Sequence, residues 1–325
     1  MTNDESTDVN RRVSFIVAGF ALALGVIGVY KLHSYAVNDL PWGIVHPMRP
    51  DTLAMNAWIR AAELALPTVR HDTTYTFRTD DSTLIEIRVI RPIGVEPAGR
   101  VFVIHGIASQ KEGGLGAAAW SLQQGFEVVM FDQRGHGRSS GSTCSYGYRE
   151  SMDLLAIMRS LKPLPQNRPV ILWGNSMGAV TAILAADLDG RSTHRIVDLV
   201  IEESGYSDVW SLTEDLVKSK TGFHIPFVGR WATERSCEVL GIDPDSITPM
   251  NVVSGLKCDL LVLHGAMDER VPLAHGERIA QAMSPSPYQR EFVVFSNAGH
   301  VGLRDSDPQR YDAAIQRAFG WVRTK

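Results

Sequence analysis

The residues with the clearest chemical potential lie in Ile171-Leu172-Trp173-Gly174-Asn175-Ser176-Met177-Gly178-Ala179. An apolar run enters a Gly-x-Ser-x-Gly pentapeptide, and a small-residue helical pattern follows. That is the sequence form of a sharp strand-to-helix turn exposing a serine hydroxyl. A Cβ at either glycine would strain such a turn or clash across it. Alone the pentapeptide is a weak signal, because Gly and Ser are common in turns. A serine hydroxyl is also a poor nucleophile without a base in hydrogen-bond reach and a carboxylate to fix that base's tautomer. Two later segments supply those types: Leu263-His264-Gly265-Ala266-Met267-Asp268 and Ser296-Asn297-Ala298-Gly299-His300. Singly, Asp268 also reads as a cap for a helix starting near Pro272, and His300 as a loop histidine. Jointly, Ser176, Asp268 and His300 give nucleophile, acid and base in one chain order. His105 competes as the base, and Glu202 or Glu203 as the acid.

Elements must bring these residues together. From about Thr73 the chain alternates as strands do, in residues 74–78 and 84–90, with the turn cluster Thr79-Asp80-Asp81-Ser82 between them. This predicts an antiparallel hairpin. Six short apolar runs follow, at 101–104, 128–131, 170–173, 197–201, 260–263 and 292–295. Helical patterns separate them, as at Gly116 to Gln124, Tyr148 to Leu161 and Met177 to Asp187. Continuous apolar runs suit strands buried on both faces, joined by helical crossovers. The prediction is an α/β fold with about eight strands, six of them parallel, and helices on both faces. In such a sheet functional groups gather at the carboxyl ends of strands, where Ser176, Asp268 and His300 fall. About 58 residues separate Ile201 from Leu260, more than a crossover needs. Helical stretches at Leu212 to Lys218 and Ala232 to Leu240, interrupted by Pro226 and Gly229, predict a cap over about residues 205–252. Its aromatic residues (Tyr206, Trp210, Phe223, Phe227, Trp231) are expected to pack there.

The first 70 residues read differently. Val13 to Tyr30 is 18 residues without a charge, and as a helix it spans roughly 27 Å, close to the hydrocarbon thickness of a bilayer. The expected organisation is a tail (1–12), a transmembrane helix (13–30), a linker and juxtamembrane helix (31–70, with Asp51 capping a helix to Leu66), and the catalytic domain (71–325). A cleaved signal peptide and a buried core helix are the alternatives. Arg11 and Arg12 outweigh Lys31 at the other end, which places the tail in the cytoplasm and the large domain outside it.

Composition narrows the partners. The 325 residues carry 32 basic and 36 acidic side chains, a formal charge of -4, and 44% apolar residues. That supports a sizeable core and excludes a basic nucleic-acid-binding surface. Cys144, Cys237 and Cys258 form no C-x-x-C pair, so neither a zinc nor a redox site is expected. One disulfide among them remains open. No cofactor is implied, and composition leaves the oligomeric state open.

Over about Thr73 to Lys325 the chain resembles the α/β-hydrolase superfamily. The matching pieces are His105-Gly106, Phe131-Asp132-Gln133-Arg134-Gly135-His136-Gly137-Arg138-Ser139, the pentapeptide at 174–178, residues 263–268 and Gly299-His300. Within the superfamily it is similar to the lipase/esterase and serine-aminopeptidase-like branch, near the Bem46-type membrane-anchored hydrolases. The resemblance implies a catalytic triad of Ser176, Asp268 and His300. It implies an oxyanion hole made by the backbone N–H groups of Met177 and of Ile107, the latter in the loop after the third strand. It makes Asp132 and Arg134 structural. Asn175 departs from the His, Tyr or Gln more common there, which points to altered packing behind the turn. Relatives that cleave haloalkanes or epoxides use aspartate where Ser176 stands, which disfavours those activities. The expectation is a membrane-anchored serine hydrolase acting on a small-molecule or lipid-like acyl substrate, first a carboxylic ester, then an amide or thioester. The alternative of another class is a non-catalytic binding protein on a hydrolase fold.

Overall fold

Two alternating runs open the sheet. In a computed structural model of the chain, β1 (Arg70–Arg78) pairs antiparallel with β2 (Leu84–Pro92) across the predicted turn. The structure describes residues 70–323 except 166, 167 and 284, together with scattered positions between 27 and 66. The expected transmembrane segment 13–30 therefore lies almost wholly outside the described residues. So does most of the expected helix 51–66, although residues 59, 60 and 63 are helical. Among the described residues no helix is long and apolar enough to cross a membrane.

The six apolar runs become β3 (Arg100–Ile104), β4 (Glu127–Phe131), β5 (Val170–Asn175), β6 (Leu199–Glu203), β7 (Asp259–Gly265) and β8 (Arg290–Phe295). One eight-stranded sheet results, ordered β1-β2-β4-β3-β5-β6-β7-β8, with β3 to β8 mutually parallel. β6 begins two residues later than its apolar run suggests, so Glu202 and Glu203 end the strand instead of following it.

Successive strand residues face opposite sides, and the core divides accordingly. Val101, Val103, Ile171, Trp173, Leu261 and Leu263 pack on one face with α1 (Leu115–Gln123). Phe102, Ile104, Leu172, Val200, Leu260 and Val262 pack on the other with α2 (Tyr148–Ser160) and α3 (Met177–Gly190). The C-terminal helix Pro308–Arg323 also covers the first face. Its Tyr311, Ala314, Ile315, Ala318, Phe319 and Val322 form one buried stripe at helical spacing.

The cap consists of α4 (Val209–Thr221) and α5 (Pro226–Leu240), both longer than the sequence patterns indicate. The Asp208 carboxylate accepts from the Ser211 N–H at 2.7 Å and starts α4, as an N-cap does. Pro226 opens α5 instead of interrupting it, because the N–H of a first-turn residue has no acceptor within the helix, so its absence from proline costs nothing there. Gly229 sits inside α5 where the helices touch: a Cβ there would lie 2.9 Å from the Glu214 Cα. The expected burial of the cap aromatics holds for Tyr206 and fails for Phe223, Phe227 and Trp231, which are exposed. Phe227 and Trp231, four residues apart, share one exposed face of α5, and Phe223 lies in the link between the two cap helices.

Candidate active site

Sheet order creates the site. The chain leaves β3 for β4 on one side and returns to β5 on the other, so the loops after β3 and β5 face one another. Crevices at such reversals are the usual ligand sites of open α/β sheets. Ile104 stands opposite Gly174 in the β3/β5 register, which brings His105-Gly106-Ile107 beside the turn that carries Ser176.

That turn is strained and tightly enclosed. Ser176 has φ 53° and ψ -122°, a conformation costing a non-glycine residue on the order of 1–3 kcal/mol. Its N–H donates to the Glu203 carbonyl at 2.8 Å, and its carbonyl accepts from the Ala179 N–H at 3.0 Å. A Cβ at Gly174 would run into the Gly178 carbonyl, and one at Gly178 into the Ile104 carbonyl. Both glycines are therefore required by close backbone approach.

The three residues singled out in the sequence come together. The Ser176 hydroxyl lies 3.0 Å from His300 Nε2, and His300 Nδ1 lies 2.7 Å from Asp268 Oδ2. A carboxylate can only accept, so Nδ1–H donates to Asp268 and Nε2 is left to accept from the serine. The other Asp268 oxygen accepts the N–H groups of Arg270 and Val271, each at 2.9 Å. Burial pushes the Asp268 carboxyl up, but its hydrogen bond and charge interaction with His300, with the two backbone donors, hold it below its ordinary value. Asp268 thus stays ionised where it is needed to stabilise an imidazolium. His264, wholly buried beneath it, faces the Val271 carbonyl through Nε2 at 2.8 Å. Burial lowers the pKa of His264, so it adds no charge beside Asp268 at neutral pH.

The rival residues are occupied otherwise. His105 is fully buried, with Nδ1 at 2.7 Å from the Gly106 carbonyl and Nε2 accepting from the Gln133 N–H at 3.0 Å. Burial and the neighbouring His136 push its pKa down to about 3. Its ring holds the β3 and β4 loops together and has no lone pair left for Ser176. Glu203 Oε1 accepts from Trp173 Nε1 at 2.7 Å and from the Tyr311 hydroxyl. Glu202 accepts from the Gly205 N–H and is completely buried. Asp132 receives the Lys111 N–H at 2.7 Å, the Lys111 ammonium at 2.8 Å and the Arg138 N–H at 2.9 Å. Arg134 forks onto Asp153 at 2.6 and 2.7 Å. Both are loop-holding groups, as the family resemblance implies.

Ser176 and His300 open on a cavity of about 870 Å³. Ile107 and Met177 line it beside the serine, and a Cβ at Gly106 would lie only 3.1 Å from the Ser176 Cβ. Asn175 lines the cavity as well, so its departure from the commoner residues bears on the site wall instead of the packing behind the turn. The far wall is apolar: Tyr146, Tyr206, Leu212 and Leu216, with the Tyr206 hydroxyl donating to the Tyr146 carbonyl at 2.7 Å. Sequence patterning missed Tyr146, which lies in an irregular loop, and did not distinguish Tyr206 from the exposed cap aromatics. Lys220 and Arg270 stand at the cavity, and no aspartate or glutamate is among its described lining residues. The three cysteines are buried and unbridged. Among the described residues, no cluster of His, Cys, Asp or Glu could hold a metal ion.

Known proteins bear on the same features. The family described as serine aminopeptidase, S33 matches residues 95–201, a segment that holds Ser176 and ends before Asp268 and His300. YqkD of Bacillus subtilis is 26% identical over 186 residues, 55% of this chain and 58% of its own length. The lysophosphatidylserine lipase ABHD12 of Bos taurus is 26% identical over 202 residues, 60% of this chain and 48% of its own. The chain thus spans about half the length of these curated relatives. An esterase of Pyrococcus furiosus superposes with a TM-score of 0.65 at 20% identity, covering 86% of this chain and 98% of the esterase. At that identity the likeness establishes the fold alone.

Proposed function

We propose, from the premise that the chain is a member of the α/β-hydrolase superfamily, that it is a membrane-anchored serine hydrolase cleaving a carboxylic ester through an acyl-enzyme. Ser176 attacks the acyl carbonyl as His300 Nε2 takes its proton. Asp268 orients the imidazole and stabilises its charged form. The N–H groups of Ile107 and Met177 receive the oxyanion. His300 then returns the proton to the leaving oxygen, and a water activated by the same imidazole releases the acid. The observation that carries this reading is the unbroken Ser176–His300–Asp268 hydrogen-bond chain, 3.0 and 2.7 Å, whose Ser176 and His300 line an open cavity.

The substrate class follows from the walls. Leu212, Leu216, Tyr146 and Tyr206 suit an acyl chain, and Lys220 and Arg270 suit an anionic group. A free α-ammonium would meet two cations and no carboxylate, which favours an ester over the aminopeptidase substrate named by the matching family. The lipase relative points the same way. The apolar run 13–30 serves as the anchor, with the hydrolase domain outside the cytoplasm. Steady-state hydrolysis of an ester series by wild type and Ser176→Ala tests the proposal. Wild type should turn over anionic long-chain esters and the variant none. Equal rates for the two would overturn it.

A further inference from the structure

We infer that the tip of the cap, at the α4–α5 corner, is a docking surface for an anionic lipid bilayer, placed so that the cavity opens at the membrane. Residues 216–233 contain no aspartate or glutamate and carry Lys218, Lys220 and Arg230, in a chain whose net charge is -4. Three large apolar side chains stand out on the same corner: Phe223, Phe227 and Trp231, at 70%, 55% and 46% exposure. Phe227 and Trp231 stack edge to face, 5.5 Å between ring centroids. Arg230 lies over the Trp210 ring and meets Glu234 at 3.4 Å, an exposed pair that is worth little in water. Clustered exposed aromatics rimmed by cations are what a headgroup region accommodates: rings at the acyl boundary, ammonium and guanidinium groups at the phosphates.

Two features select a bilayer as the occupant. First, the last turn of α4 serves both surfaces. Ser219 and Lys220 line the cavity that holds Ser176, and Phe223 begins the tip three residues later. Second, the N-terminal chain enters the molecule on this side. Val45 is buried in the cluster formed by the cap residues Leu212, Val217, Val228 and Leu240, and its carbonyl accepts the Cys144 N–H at 2.8 Å. Residues 31–44 join it to the end of the apolar run at Tyr30, a reach of at most about 50 Å. A tether of that length lets a membrane held by that run reach the cap, and an anionic surface complements the charge of the tip.

The test uses the full chain in phosphatidylcholine vesicles with or without phosphatidylglycerol, carrying an environment-sensitive fluorophore at Phe223→Cys. The native cysteines are buried, so labelling is selective. Anionic vesicles should shift the probe to the blue and expose it to bilayer-borne quenchers. Lys218→Glu/Arg230→Glu should abolish both effects, since each basic side chain near such a surface is worth roughly fivefold in binding. The same double variant should hydrolyse a vesicle-borne lipid ester about tenfold or more slower and a water-soluble short ester at the wild-type rate. Phe223→Gln should repeat the pattern. A solvent-like probe in both vesicle types, or a shift that depends on protein concentration and not on lipid (a second copy as the occupant), would overturn the inference. The turnover arm rests on the serine-hydrolase reading and the fluorescence arm does not, so absent hydrolysis of the soluble ester indicts only the former.

Discussion

Glu202→Gln should change how stability depends on pH, by an amount the burial of this carboxyl fixes. Glu202 stands opposite Gly174 on β5 and Val262 on β7, fully buried. One oxygen accepts the Gly205 N–H, and Oε2 has no partner among the described residues. Burial, and after it the nearby carboxylates Glu203 and Asp268, raise its pKa from 4.5 to about 8 against the pull of the Gly205 donor. The folded protein therefore keeps a proton that the unfolded chain releases. This contribution to stability is complete below pH 4.5 and is lost as pH rises towards 8. The slope is about 1.4 kcal/mol per pH unit, or roughly 5 kcal/mol over the interval as an upper figure. Glutamine cannot ionise. Urea unfolding of the detergent-solubilised wild type and variant, followed by tryptophan fluorescence, should give a wild-type-minus-variant difference that falls steadily from about pH 5 to 8 and then levels. Parallel profiles across that range would refute the argument and would mean that Glu202 is ionised. A neutral Glu202 cannot replace Asp268 as the group that stabilises the imidazolium, so the same titration bears on the assignment of the acid.

Other outcomes follow from the same geometry. Asp268→Asn should lower kcat by on the order of 10³–10⁴ with little change in KM, while Glu202→Gln stays within about tenfold of wild type at pH 7; the reverse would move the acid to β6. Gly178→Ala puts a carbon into the Ile104 carbonyl, and thermal unfolding should report a loss of about 3 kcal/mol. Glu203→Ala strands the Trp173 and Tyr311 donors in the core and should cost about 2–5 kcal/mol by denaturant titration. Leu216→Trp fills the cavity wall and should reduce kcat/KM for long-chain esters at least about tenfold more than for acetate esters; equal losses would place the acyl chain elsewhere.

Much of the site was legible because the chemistry sits where continuous apolar runs end. Asn175, Gly265 and Phe295 close β5, β7 and β8, and Ser176, Asp268 and His300 follow within a few residues. Each run reads as a buried strand without knowledge of its neighbours. The cap was less legible, since Pro226 breaks a pattern in sequence and starts a helix in space. The division of its aromatics into a buried Tyr206 and exposed Phe223, Phe227 and Trp231 depends on how α5 packs on α4, through the contact at Gly229. The C-terminal helix had a regular stripe from Tyr311 to Val322, but it follows the last strand and escapes a search for alternating strand and helix. The role of Glu203 could not be read at all: its partners, Trp173 and Tyr311, are 30 and 108 residues away.

The central claim is that Ser176 is an activated nucleophile. A fluorophosphonate probe tests it most directly, with peptide mass spectrometry to locate the adduct. One label per chain on Ser176, absent from Ser176→Ala and strongly slowed in Asp268→Asn, is the predicted result. An intact protein that takes no label under conditions where a reference serine hydrolase is labelled, or that carries it on another residue, would contradict the account.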